Sequence, residues 1–341
     1  MQARKVLLAM CMLALVAIPV AAGKPGPGTT TGTGRVFLPN PVADLQDQTL
    51  TDQKDADYLA LQPAYHIVTL TNLDGSGYLS GAWANIHSST GPQAYSPTNT
   101  FEYARDDDRF EQVMAYYWIT AAQKYIQSLG FGTTLGAINK ESQDVRINQW
   151  GADNSYSWSK KDVCRFGKGG VDDAEDAEVI LHEYGHAIQD AQSDPFGSFG
   201  TSFEAWAIGE GFADYWAVTV SDVIAPTPDP ACVADWDSVS YTAGPVHCLR
   251  RVDHDWHYPE DLSTYNYYHN GGIWARALWD IRAALGHVVA DTIILEAQFA
   301  FAPDTDMPDA AEDTVAAAQT LYGAAVANTV RAQFVARGIL E

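Results

Sequence analysis

The chain has 341 residues, 47% of them hydrophobic, which is enough for one large domain or two lobes around a sizeable core. Its 43 acidic residues outweigh 20 basic ones, for a net charge of −23. That balance argues against nucleic acid or an anionic membrane as a partner and fits a solvated, acidic surface.

Arg4 and Lys5 precede an uncharged apolar run from Val6 to Val20, and Val20-Ala21-Ala22 offers small residues for a signal peptidase. This is the layout of a secretory signal peptide over residues 1–22. The run is short for a bilayer span, which needs about 20 residues. The reading is therefore a secreted, extracellular protein with no membrane association once the leader is removed. Residues 23–35 are rich in Gly, Pro and Thr and read as a flexible linker.

From residue 36 to about 105, short apolar runs alternate with turn signals such as Asn40-Pro41, Asp74-Gly75-Ser76-Gly77 and Gly91-Pro92. This predicts a β-rich N-terminal part. A helix then begins near Asp108, with Phe110, Val113, Met114, Tyr117, Ala121, Tyr125 and Leu129 at helical spacing and Gly130 as its stop. Short β-type runs return between residues 137 and 166. Further helices are predicted over 177–190, 203–220, 272–285, 288–300, 308–321 and 325–336, so residues 106–341 form one core with a mostly helical C-terminal lobe. Strands and helices are grouped rather than alternating, which is an α+β pattern. The run from Val288 to Ala302 is the longest apolar stretch after the leader, and Asp291 and Glu296 interrupt it.

Three cysteines remain after the leader. Cys232 and Cys248 bracket a polar loop and are expected to pair, which an oxidising compartment permits. Cys164 is left as a partly buried free thiol, although it could pair with either of the others.

The chemistry concentrates in His182-Glu183-Tyr184-Gly185-His186. On a helix, residues four apart share a face, so both imidazoles can reach one zinc ion while Glu183 stands beside them as general base. With nine histidines in the chain, a chance occurrence on such an apolar, helix-patterned stretch is remote. A catalytic zinc takes three protein ligands and keeps one open position. Glu210, in Gly209-Glu210-Gly211-Phe212-Ala213-Asp214, is the expected third ligand, with Glu204 as the alternative. Asp214 lies one turn further on the same face, where a carboxylate can accept the N–H of a ligating histidine.

These two motifs resemble those of the gluzincin zinc metallopeptidases, and within them the thermolysin- and fungalysin-like branch. The resemblance spans roughly Phe110 to Arg282 and implies a zincin-like fold, with Glu210 completing the zinc site and Asp214 supporting a histidine. Asn154-Ser155-Tyr156 is similar to the family's active-site edge strand, which implies that these residues contact substrate by strand addition. His269, in Tyr268-His269-Asn270-Gly271-Gly272, matches the histidine that stabilises the oxyanion just before a helix start, with His254 and His257 as rivals. A matching tyrosine is missing: Phe196 and Phe199 occupy the corresponding region. The acidic run Asp172-Asp173-Ala174-Glu175-Asp176, with Glu178, suits a helix N-terminus, and related enzymes place calcium nearby.

Together these features predict a secreted zinc endopeptidase acting on protein or peptide substrates through a zinc-bound water activated by Glu183. A zinc exopeptidase, or a non-catalytic secreted zinc-binding module, is the alternative.

Overall fold

A computed structural model describes residues 29–88, 91–192, 200–244 and 246–341. The expected leader over 1–22, the first part of the expected linker, and Phe196 and Phe199 lie outside the described residues. The rest of the linker expectation is corrected, because Thr30–Val36 forms a strand, β1. Its glycines serve close packing rather than flexibility. A Cβ on Gly32 would stand 2.3 Å from the Asn99 carbonyl oxygen, and one on Gly34 would stand 2.6 Å from Val113 Cγ1. A side chain at either position would push the strand off its neighbours.

A short helix α1 (Pro41–Leu45) comes next, its N-terminus capped by the Asn40 side chain, which accepts from Ala43 N at 2.9 Å. Then come β2 (His66–Leu73), β3 (Ala84–Ser88) and β4 (Thr100–Phe101). β1 pairs antiparallel with β2 and parallel with β4. After helix α2 (Phe110–Ser128) the chain adds β5 (Gln143–Ile147), β6 (Tyr156–Trp158) and β7 (Val163–Arg165). The second sheet runs β3-β5-β7-β6, with β6 antiparallel at its edge. β3 pairs in parallel with β5, so the N-terminal part shares a sheet with strands of the core rather than standing apart.

The remaining elements are α3 (Ala177–Gln192), α4 (Phe203–Ile224), the paired short strands β8 (Cys232–Val233) and β9 (Arg250–Arg251), and helices α5 (Tyr267–Leu285), α6 (His287–Ala297), α7 (Met307–Tyr322) and α8 (Ala324–Ala336). One core runs from β1 through α2, α3, α4 and α5 to α8, and includes the fully buried Trp118, Trp216 and Trp274. Each such side chain contributes roughly 1.5–3 kcal/mol or more of burial.

Two contacts set the helices that carry the site. α4 and α5 touch backbone to backbone: a Cβ on Gly211 would meet the Gly271 carbonyl oxygen at 2.2 Å. This brings the start of α5 beside Glu210. In α6, Asp291 is buried and accepts from Tyr125 Oη at 2.5 Å, from Thr219 Oγ1 at 3.1 Å and from the Tyr215 hydroxyl, tying α2, α4 and α6 together. The acid that interrupts the long apolar run is therefore an internal joint. No helix among the described residues is long and apolar enough to cross a membrane.

Cys232 and Cys248 form the expected disulfide, and Cys164 is free and fully buried rather than partly so.

Candidate metal centre and cleft

α3 enters the core behind a short turn, Asp173–Glu175, and the acidic run before it does more than favour a helix N-terminus. Glu175 accepts from Arg105 Nε at 2.9 Å and from Trp236 Nε1 at 2.9 Å. Asp176 accepts from the backbone N–H of Trp236 at 3.0 Å, and Glu178 accepts from Ser221 Oγ and Ala234 N, both at 2.7 Å. These three carboxylates are buried and occupied by protein donors. They lash the start of α3 to α4 and to the loop after it.

One and two turns further, His182 and His186 point from α3 toward Glu210 on α4. His182 Nε2 lies 3.2 Å and His186 Nε2 3.8 Å from Glu210 Oε2. One ligand atom from each residue falls within 4.8 Å of the others, and all three residues are buried. Glu210 Oε2 has no hydrogen-bond partner among the described residues. An orphaned buried carboxylate oxygen facing two imidazole nitrogens fits a metal ion, and two nitrogens plus a carboxylate suit zinc.

The other ring nitrogens fix the imidazoles in place. His182 Nδ1 is 2.9 Å from Asp214 Oδ1, and His186 Nδ1 is 3.4 Å from Gln189 Oε1. Asp214 is held in turn by Arg250, whose Nε and Nη2 donate at 2.6 and 2.7 Å. The guanidinium beside Asp214 keeps that carboxyl well below the usual range, even though burial works against it. Burial also works against charge on His182, but Asp214 and Glu210 hold it up to about 10. His186, whose Nδ1 lies beside Gln189, is pushed down by burial to about 4. Glu183 is pushed up to about 7, by burial first, with His182 opposing. Its Oε2 is buried without a partner among the described residues. A carboxylate poised near neutrality beside the metal-ligand set can take and return a proton.

His182, Glu183, His186, Glu210 and Arg250 line a cleft of about 510 Å³. The expected substrate contacts Asn154, Ser155 and Tyr156 line it too, from the edge strand β6 and the turn before it. Glu204, the alternative ligand, lies at the start of α4 and accepts from Met307 N at 2.8 Å, away from the centre.

His269 is not brought to the cleft, and this expectation is corrected. α5 starts at Tyr267, capped by Asn266, whose side chain accepts from His269 N at 3.1 Å. His269 therefore sits inside the first turn. Its Nε2 is 2.7 Å from the Asp261 carbonyl oxygen, and its ring packs 4.0 Å from that of Trp256. The rival His254 stacks on the same indole, also at 4.0 Å. The residue that lines the cleft from this turn is Tyr268, with Tyr267 beside it. Tyr268, Arg250 and Asp237 are among the cleft residues that sequence reasoning missed. Tyr268 was one position from the expected histidine. Arg250 had only its basicity in an acidic chain to mark it.

No protein-family model matches the chain, and no curated protein is similar to it. Among solved structures, the precursor of protealysin, a metalloproteinase from Serratia proteamaculans, is similar with a TM-score of 0.57 and 15% identity, over 76% of this chain and 88% of that one. At that identity the likeness shows the fold alone, which is that of a metalloproteinase.

Proposed function

We propose that this protein is a secreted zinc-dependent endopeptidase of the gluzincin type. The observation that carries the reading is the meeting of His182, His186 and Glu210 in one cleft with the unpaired Glu183 carboxylate. The metalloproteinase fold supports it, and the Cys232–Cys248 disulfide supports an extracellular setting.

His182, His186 and Glu210 would hold the ion, with Asp214 and Gln189 keeping both Nε2 atoms directed at it. Zinc bound there supplies Lewis acidity toward a water molecule and toward the peptide carbonyl. Glu183 takes the proton of the attacking water and returns it to the leaving amine, a role matched by a carboxyl held near about 7. Tyr268 replaces His269 as the donor to the developing oxyanion. The Tyr267 hydroxyl donates to the Tyr268 oxygen at 3.4 Å, which leaves the Tyr268 proton for substrate. The Arg250 guanidinium, 5.4 Å from the Tyr268 ring centroid, steadies that side chain. Asn154, Ser155 and Tyr156 would present the substrate as an added strand along β6. The cleft is open beside the ligands and, among the described residues, no fourth His, Cys, Asp or Glu joins them. Both features favour a catalytic over a closed structural site.

The test is cleavage of an end-blocked fluorogenic peptide mixture by the parent and by Glu183→Gln at equal zinc content. The expected outcome is internal cleavage by the parent and a loss of about 10²–10⁴-fold in the variant. Equal cleavage by both would overturn the role of Glu183. Cleavage of unblocked peptides alone would point to an exopeptidase.

A further inference from the structure

The acidic run leaves two carboxylates, Asp172 and Asp173, out of its internal lashings, and Asp173 is the one that lines the cleft. Asp173 does not join Glu175, Asp176 and Glu178 in gripping protein donors from α4 and the loop after it. It meets Asp237 and Asp153 instead, and one carboxylate oxygen from each of the three lies within 4.8 Å of the others. Some of these oxygens are occupied. Ser155 Oγ donates to Asp173 Oδ2, and the Tyr241 hydroxyl donates to Asp153 Oδ1 at 2.6 Å. Asp173 Oδ1 and Asp237 Oδ1 are buried and have no hydrogen-bond partner among the described residues. Asp237 as a whole is only 4% exposed, so water has little access to the orphaned oxygen.

Two other buried carboxylates near the cleft have a cation: Glu175 has Arg105, and Asp214 has Arg250. Arg250, a cation whose charge acts on Asp237, is committed to Asp214. Burial, and then the charges of Asp173 and Asp153, push Asp237 far above the usual carboxylate range. Two acids held this way are a receptor for positive charge that the chain itself does not provide.

Asp173 and Asp237 line the same cleft as His182, Glu183 and His186. The wall beside them is aliphatic. Val179, Val233, Ala234 and Leu249 line the cleft and pack into one cluster, and Asp237 comes after Ala234 by a single turn closed by a 3.0 Å bond from Ser238 N to the Ala234 carbonyl. An aliphatic sleeve ending in unpaired carboxylates is complementary to a long methylene stem ending in a cation. A hard divalent cation is a poorer fit, because it takes six to eight oxygen ligands and half of this wall offers none.

We propose that the Asp173–Asp237 end of the cleft is the subsite for a lysine or arginine side chain beside the scissile bond, so that the enzyme cuts next to basic residues. The inference deepens the peptidase reading above and rests on it. The net charge of −23 acts in the same direction by drawing basic peptides toward the chain.

The experiment uses end-blocked peptides that differ at one position, scanned across both sides of the cleaved bond. That position carries lysine or norleucine, which keeps the stem and removes the charge. The full chain should favour lysine by about 100-fold in kcat/KM at one position. In Asp237→Asn the lysine-to-norleucine ratio should collapse toward one, and in Asp173→Asn it should fall substantially. A second readout is independent of turnover. Labelled lysine and norleucine peptides are titrated onto Glu183→Gln by fluorescence anisotropy, with the tighter binding of lysine lost when Asp237→Asn is added. Equal cleavage and equal binding of the two peptides would overturn the subsite, whether or not the chain proves to be a peptidase. A preference that tracks a free α-amine rather than the side chain would also overturn it. So would stoichiometric calcium bound to the parent and lost in Asp237→Asn.

Discussion

Two carboxylate sites, one directly behind the cleft and one lining it, are wired in opposite ways. Asp214 is buried, receives two hydrogen bonds from Arg250 and passes its influence to His182. Asp173 and Asp237 are equally buried, yet each keeps an oxygen without a partner among the described residues. The first site is complete within the chain and serves to position another residue. The second is incomplete and gains from a ligand. Burial alone therefore does not distinguish a structural acid from a binding one; the donor inventory does.

Both sites depend on the loop between Cys232 and Cys248. Asp237 rides on it, and Arg250 lies just past it in β9. Opening the disulfide should give the largest effect on the comparison because it loosens both partners at once. Cys232→Ser with Cys248→Ser is expected to lower stability by about 3 kcal/mol for a loop of this length. Chemical denaturation checks the loss. A normal melting profile, with both zinc content and peptide preference intact, would show that β8 and β9 hold the two sites without the bridge.

Breaking only the first site should cost less. Arg250→Met removes the partner of Asp214 and leaves a buried carboxylate with His182 alone. Loss of a group that orients a metal ligand typically weakens metal affinity by about 10–100-fold. Competition with a chelator reads this directly, and zinc retention equal to the parent would show that Asp214 positions His182 without help.

How far each site was legible in the sequence depends on the range of its contacts. The helices were legible because their burial repeats locally, and α3 and α4 fall close to the predicted spans. His182, Glu183 and His186 sit within one such element, and Glu210 and Asp214 within the next, so their spacing carried the geometry. Arg250 was not legible, because it reaches Asp214 from a two-residue strand 36 positions away. His269 was misplaced because Asn266 starts α5 five residues before the predicted 272, turning the histidine onto Trp256 and Tyr268 into the cleft. The linker was misread because composition cannot tell a glycine that permits motion from one that permits contact. The acidic run was visible as charge, but which of its members would find donors depended on Ser221, Ala234 and Trp236, all distant in sequence.

The smallest expected effect isolates the second site through its sign. Burial first, and then Asp153 and Glu183, raise Asp173 from 3.8 to about 7 despite the hydrogen bond from Ser155. A carboxyl with a folded pKa above its unfolded value holds its proton more tightly when folded. The folded state is therefore penalised as pH rises from about 4 to about 7, and the penalty persists above that. Asp214 is shifted the other way, so its contribution is present at neutral pH and is lost as pH falls. Asp173→Asn should then raise the Tm by a few degrees at pH 8 and change it little at pH 4. Asp214→Asn should lower it at pH 8 and do so less in acid. Saturating lysine peptide should narrow the gap between Asp173→Asn and the parent at pH 8, because a bound cation relieves the charge that the substitution removes. If Asp173→Asn lowers the Tm equally at both pH values, the bond from Ser155 outweighs the burial of charge, and the second site resembles the first.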